Sequence, residues 1–110
     1  MNRDRIWLRF MLECLEHVER YIAGGEQEFA GSPLIQDAVL RRLQVIGDTS
    51  ERLRSDLIVT QPRIEWDHLR GLRNVIVHEP LNIDIGALWE VASIDLPRLK
   101  QAVLEMLEIA

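Results

Sequence analysis

Leu8, Met11, Leu15, Val18 and Ile22 stand 3, 4, 3 and 4 residues apart. That spacing puts five apolar side chains on one stripe of a helix, a pattern that a strand with its two-residue repeat cannot use. No stretch of the chain sustains period-2 alternation, and the residues that interrupt regular structure are few: six glycines and four prolines in 110 residues. Long helices joined by short connections are the economical fold.

The first helix is expected from about Asp4 to Ala23, closed by Gly24-Gly25. Glu26 to Gly31 read as a further short turn that pins Phe29 against the bundle. Ser32-Pro33 restarts the chain, with serine at the N-cap and proline at the first helical position. The second helix then carries Val39, Leu43, Ile46, Leu53 and Leu57, and it closes at Thr60-Gln61-Pro62. Gly47 lies inside it at a cost of about 1 kcal/mol against alanine, which makes sense where another helix approaches closely. A third helix runs from about Ile64 to His78 or Glu79, with Trp66, Leu69, Leu72 and Val75 or Ile76 on its buried side, and Pro80 ends it. A fourth starts near Asn82 or Asp84 and continues through Leu88, Trp89, Val91, Ile94, Leu99, Val103 and Leu107. Pro97 is expected to kink or split it, with Asp95 as cap of the second piece. The whole is read as one domain over residues 1–110: an all-α, four- to five-helix up-down bundle. A chain this short has a large surface for its core, which favours a homodimer.

Composition narrows the function classes. Lys+Arg is 13 against 18 Asp+Glu, a formal charge of −5, and the basic residues are twelve arginines and Lys100. Such a chain does not hold nucleic acid by bulk charge, so any RNA contact must rest on a local patch. A 47% hydrophobic content excludes a disordered tail. The one cysteine, Cys14, excludes a disulfide framework or a cysteine-based zinc site, and it sits beside the first apolar stripe as a small hydrophobe. No apolar run spans a bilayer, and Arg3, Asp4, Arg5 and Arg9 break any signal-peptide core, so cytoplasmic residence and no membrane partner are expected. No metal-binding spacing and no glycine-rich phosphate loop occurs, and no cofactor is expected.

Of the three histidines, His17 and His68 read as structural or surface residues. His78 differs by its company: Arg73, Asn74 and His78 are polar groups set into the apolar helix end Gly71-Leu72-Arg73-Asn74-Val75-Ile76-Val77-His78. At about 100° per residue Asn74 and His78 share a face, whereas Arg73 lies about 140° from His78. Arg73 and His78 converge only if the last turn unwinds before Pro80 or if two chains bring their copies together. Arg73 is equally able to pair with a carboxylate such as Asp48. Arginine and histidine together suit RNA cleavage by the ribose 2′-hydroxyl. Histidine moves protons near neutral pH, and a guanidinium offers fixed forked charge to the phosphorane-like transition state. Arg63, Arg70 and Arg73 form the expected local basic patch, which Arg41 and Arg42 would extend as substrate-binding residues.

The run Arg73-Asn74 with His78 after four intervening residues from Arg73 resembles the HepT-like toxins of the HEPN superfamily. Ile64-Glu65-Trp66, Gly71-Leu72, Ile46-Gly47-Asp48, Asp84, Trp89 and Leu96-Pro97 are similar to the family's pattern as well, so the likeness covers nearly the whole chain. The resemblance implies a homodimer whose motif helices line a shared cleft. It implies a metal-independent endoribonuclease with Arg73 and His78 catalytic and Asn74 supporting. RNA, tRNA included, would be its substrate, and a nucleotidyltransferase-fold antitoxin of a type VII-like toxin–antitoxin system its partner. Many members carry, two residues after the motif histidine, a tyrosine that the antitoxin modifies with AMP. Pro80 stands there in this chain and has no hydroxyl, and Tyr21 is the only tyrosine. That departure supports a second reading, an interaction module that keeps the partner but not the nuclease.

Overall fold

The computed structural model describes residues 2–110, and among them every regular element is helical. The elements are α1 (Asn2–Tyr21), α2 (Glu26–Ala30), α3 (Pro33–Ser50), α4 (Ser55–Ile58), α5 (Trp66–His78), α6 (Ile85–Glu90) and α7 (Leu96–Ile109). A 3-10 turn (Pro80–Asn82) precedes α6, and a π-helical segment (Val91–Asp95) joins α6 to α7. Helix α3 lies between α1 and α5, while α7 covers the other side of α1.

The stripe on α1 forms the floor of the core. Leu8, Met11, Cys14, Leu15 and Val18 are buried against Val39, Leu43 and Ile46 of α3 and Leu99, Val103 and Met106 of α7. Phe29 of α2 is buried with its ring 5.4 Å from that of Trp89, as the short-turn reading expected. The ends of the chain are tied by Arg5, whose guanidinium donates to the carbonyls of Leu107 at 2.8 Å and Ala110 at 3.3 Å, satisfying the free acceptors that end α7. Lys100 of α7 meets Glu19 of α1 at 2.9 Å. No helix of the described residues is long and apolar enough to cross a membrane.

Ser32 caps α3 by accepting from Ile35 N–H at 3.2 Å, with Pro33 at the first turn. The long second helix is not continuous, however. It stops at Ser50, where Thr49 and Ser50 hydroxyls bond back to the carbonyls of Val45 and Gly47, each at 2.7 Å. Asp4, reaching across from α1, accepts from Arg54 N–H at 3.3 Å where α4 begins. Leu53 and Leu57 are buried all the same, which is why their spacing imitated one unbroken stripe.

The expected fourth helix is divided next to Pro97 into α6 and α7, and a π-helical segment keeps the two joined. Pro97 has no N–H for the carbonyl four residues back, and its ring would crowd that carbonyl. The π segment widens the helix just before it, with Leu96 N–H bonding back to Val91. Ala92 and Leu96 are buried on the side of Leu88, while Ile94, expected in the core, lies on the opposite side and is 48% exposed. Asp95 keeps helical angles and caps nothing. Asp84 is the cap that operates: its carboxylate accepts from Gly86 N–H at 2.8 Å and Ala87 N–H at 3.2 Å. Asp84→Ala should therefore cost about 1 kcal/mol in urea unfolding, whereas Asp95→Ala should stay within about 0.5 kcal/mol of the parent.

Candidate functional site

Helix α5 begins where Trp66 is fixed, its indole N–H donating to the Gln61 carbonyl at 3.2 Å. Trp66 and Leu69 are buried, and Leu72 and Ile76 pack partly against the core. The helix runs unbroken to His78, and Glu79 N–H still bonds back to the Val75 carbonyl at 2.8 Å. The last turn is not unwound. Within one chain Arg73 and His78 thus stay on different flanks of the helix.

Arg73 faces α3, and Gly47 is what lets it do so. A Cβ at position 47 would stand 2.7 Å from Arg73 Cβ, 3.1 Å from its Cγ and 3.3 Å from the Leu69 carbonyl oxygen. The missing side chain therefore sets the distance between α3 and α5, as the sequence suggested for this glycine. With the helices that close, Arg73 Nε donates to Asp48 Oδ1 at 2.6 Å, and Nη1 donates to Asn74 Oδ1 at 3.2 Å. The pair is open on one side, with the Arg73 side chain 28% and that of Asp48 45% exposed. A guanidinium has five N–H donors. Two are used in these bonds, which leaves three on the Nη edge for a ligand. Asp48 thus fixes the orientation of the fork without consuming it.

Asn74 and His78 are exposed. The His78 ring makes no hydrogen bond among the described residues, and the Asn74 amide oxygen is taken by Arg73. Pro80 opens the 3-10 turn that follows, and Asn82 in that turn donates to Glu79 Oε1 at 2.9 Å.

The remaining arginines do not form the single patch expected of them. Arg70 is exposed and pairs with Asp67 one turn back at 3.2 Å. Arg63 points to the α7 side of α5, into a groove also lined by Arg98. Arg41 is exposed on α3, about two turns before Asp48 along the same stripe. Arg42 turns instead toward α1, where Nη1 lies 3.7 Å from Cys14 Sγ. Its pKa is raised, first by its hydrogen bond to Tyr21 and then by that to Cys14. Burial pushes the Cys14 thiol above its ordinary value, so the thiol is protonated and packs as the hydrophobe its position implied. His17 Nδ1 accepts from Arg20 Nη2 at 2.9 Å, and its ring stacks with Tyr21, in keeping with a structural role. Among the described residues no group of three or more His, Cys, Asp or Glu could hold a metal ion.

Gly71 makes a useful contrast with Gly47. It lies on the exposed side of α5, and a Cβ there would meet nothing within 4 Å.

An all-helical chain that holds an arginine and an asparagine on a motif helix ending in histidine belongs to a recognisable class. The family described as Ribonuclease HepT-like matches residues 11–106. The chain belongs to this HepT-like ribonuclease family. Among its relatives is a Methanocaldococcus jannaschii protein named as a gamma-glutamylcyclotransferase and candidate RNase. The two are 32% identical over 98% of this chain, which spans 50% of that protein. A candidate RNase of Caldanaerobacter subterraneus is 26% identical over 98% of this chain and 97% of its own length. The probable ribonuclease HepT of Thermococcus cleftensis is 29% identical over 81% of this chain and 79% of its own. No solved structure matches the chain.

The two glycines predict opposite outcomes in urea or thermal unfolding. Gly47→Ala must push α3 and α5 apart at Arg73 and should destabilise by about 1–3 kcal/mol, more than the gain in helix propensity returns. Gly71→Ala has open space and should stabilise by about 0.5–1 kcal/mol.

Proposed function

We propose that this ribonuclease-family protein is a metal-independent endoribonuclease, the toxin of a type VII-like toxin–antitoxin pair. In this reading it works in the cytoplasm as a homodimer of single domains, residues 1–110, and tRNA is the substrate to test first. The observation that carries the reading is the Asp48–Arg73–Asn74 chain, held at the Gly47 contact on a helix that ends in an exposed His78. Arg73 offers oriented donors with permanent charge, and His78 offers a proton carrier open to solvent.

Because Arg73 and His78 occupy different flanks of one helix, the reaction needs two copies of α5 facing one groove. One His78 imidazole then removes the 2′-hydroxyl proton. The 2′-oxygen attacks phosphorus, and the bond from phosphorus to the 5′-oxygen breaks. The second His78, as imidazolium, returns a proton to the leaving oxygen. The products are a 2′,3′-cyclic phosphate and a 5′-hydroxyl. The Arg73 fork binds the non-bridging oxygens as their charge grows. Asn74 holds the fork in place, and Arg41, Arg42 and Arg70 guide the strand; the attachment of Arg42 to α1 makes it the weakest of these. A nucleotidyltransferase-fold antitoxin would silence the enzyme by covering the cleft, since Pro80 has no hydroxyl to modify.

Incubating the purified protein with tRNA in EDTA tests this directly. Cleavage with cyclic-phosphate ends is expected, and His78→Ala should lower the rate by about 10²–10⁴. Arg73→Ala should lower it by a similar factor, and the protein should sediment as a dimer. Asp48→Asn, which keeps an acceptor for Nε, should retain more activity than Asp48→Ala. Cleavage indifferent to Arg73→Ala and His78→Ala would overturn the assignment. Pro80 also favours the second reading, an interaction module that binds the nucleotidyltransferase-fold partner. Capture of that partner by a protein that cleaves no RNA would establish it.

A further inference from the structure

Between the start of α5 and the junction of the π segment with α7 lies a groove of about 80 Å³. Its floor is apolar, built from Leu69 and Leu72 of α5, Val91 and Leu99. Its rim carries five ionisable side chains: Arg63, Glu65, His68, Asp95 and Arg98. All five are exposed, and none of their side chains makes a hydrogen bond or ion pair among the described residues. Several charges elsewhere in the chain are tied down, as Arg5, Arg54, Arg70, Arg73 and Lys100 illustrate. A rim of unpaired opposite charges around an apolar floor is suited to a ligand that has a flat apolar face, an anionic end and polar edges of its own.

We propose that this groove seats one unstacked guanine nucleotide of the RNA strand, an inference that rests on the ribonuclease reading above. A water molecule needs about 10–15 Å³ of such space, so the groove accepts several heavy atoms, the scale of the six-membered ring of a purine whose second ring stays at the open mouth. Single-stranded RNA is read in this way, by splayed bases held on apolar or planar surfaces and bonded along their edges. The acidic side of the rim decides which base. Guanine alone presents two adjacent donors, N1–H and the 2-amino group, which match the two oxygens of a carboxylate from Glu65 or Asp95. Its O6 and N7 accept from an arginine fork, the commonest specific contact to guanine. The other arginine and His68 then face the phosphate. Glu65 and Asp95 repel that phosphate, which confines it to the arginine side and fixes the orientation of the nucleotide. His68 precedes His78 by ten residues on α5, about 15 Å along the axis. The recognised base therefore lies a short stretch of strand from the cleaved linkage, and the groove acts as a specificity pocket rather than part of the reacting centre.

The test measures binding, separate from cleavage. Fluorescence anisotropy is recorded with the His78→Ala protein and a labelled dodecauridylate, either uniform or carrying one central guanosine. The guanosine strand should bind about tenfold more tightly, the scale of one bidentate base contact. Glu65→Gln with Asp95→Asn should abolish that preference and leave binding of uniform uridylate intact. Arg63→Ala with Arg98→Ala should weaken binding of both strands and reduce the slope of log affinity against log salt by about 0.7 for each phosphate that is no longer neutralised. All four substitutions should leave the melting temperature unchanged, because each alters a side chain with no hydrogen-bond or ion-pair partner among the described residues. Equal binding of the two strands, or a guanosine preference that survives Glu65→Gln with Asp95→Asn, would overturn the proposal. So would a salt slope unmoved by the arginine pair. If the parent protein cleaves no RNA yet shows this binding pattern, the nuclease reading falls and the pocket stands. If it cleaves but shows no preference, the reverse holds.

Discussion

The approach of α3 to α5 at Gly47 is the contact on which the site depends. Where side chains normally hold two helices apart, one residue here has none, and the β- and γ-carbons of Arg73 fill the space. Two consequences follow from one missing methyl. The aliphatic stem of Arg73 is packed, so its guanidinium leaves the interface at a set angle. The next residue on α3, Asp48, then lies within hydrogen-bond reach of Nε. A half-exposed ion pair of this kind contributes little to stability, since solvent screens the charges and ordering two long side chains costs entropy. Its value is geometric. The arginine is pre-oriented, so less side-chain freedom would be lost on binding an anion.

Much of the architecture was legible because the core-forming stripe of α1 is strict and the caps are strong. Ser32-Pro33 and Asp84 each carry their own local hydrogen-bond acceptor, so their helix starts could be read without knowledge of the fold. The break after Ser50 could not. It arises from hydroxyls bonding back into their own helix and from Asp4 of α1, fifty residues distant, meeting the backbone of Arg54. Neither leaves a mark on apolar spacing, and Leu53 and Leu57 kept the stripe going across the gap.

The candidate site was legible to a similar degree. Asp48 was open to sequence reasoning as a partner for Arg73, and Gly47 as a place of close approach, but that the two act at one contact emerged only with the helices in place. Arg41 and Arg42 are adjacent in sequence and read as a pair, yet neighbours on a helix point about 100° apart, and here one faces solvent while the other reaches α1. The groove beside α5 gave no sequence signal at all. Arg98 and Asp95 join Arg63 and His68 only because the start of α7, about thirty residues later in the chain, lies beside the start of α5.

The π segment bears on how such a chain can change over time. Leu88, Ala92, Leu96 and Leu99 are buried at intervals of 4, 4 and 3 residues, so one buried stripe runs from α6 through the π segment into α7. The wide turn lies just before Pro97, and both halves stay aimed at the same interior. Losing a single residue there would not merely shorten a rod. It would rotate everything on one side of the cut relative to the other, swinging Trp89 off Phe29 or Leu99 off α1. Length between Val91 and Asp95 is therefore more tightly constrained than the identity of its exposed residues. Variation by insertion or deletion should be confined to the connections between helices, where no such phase has to be kept.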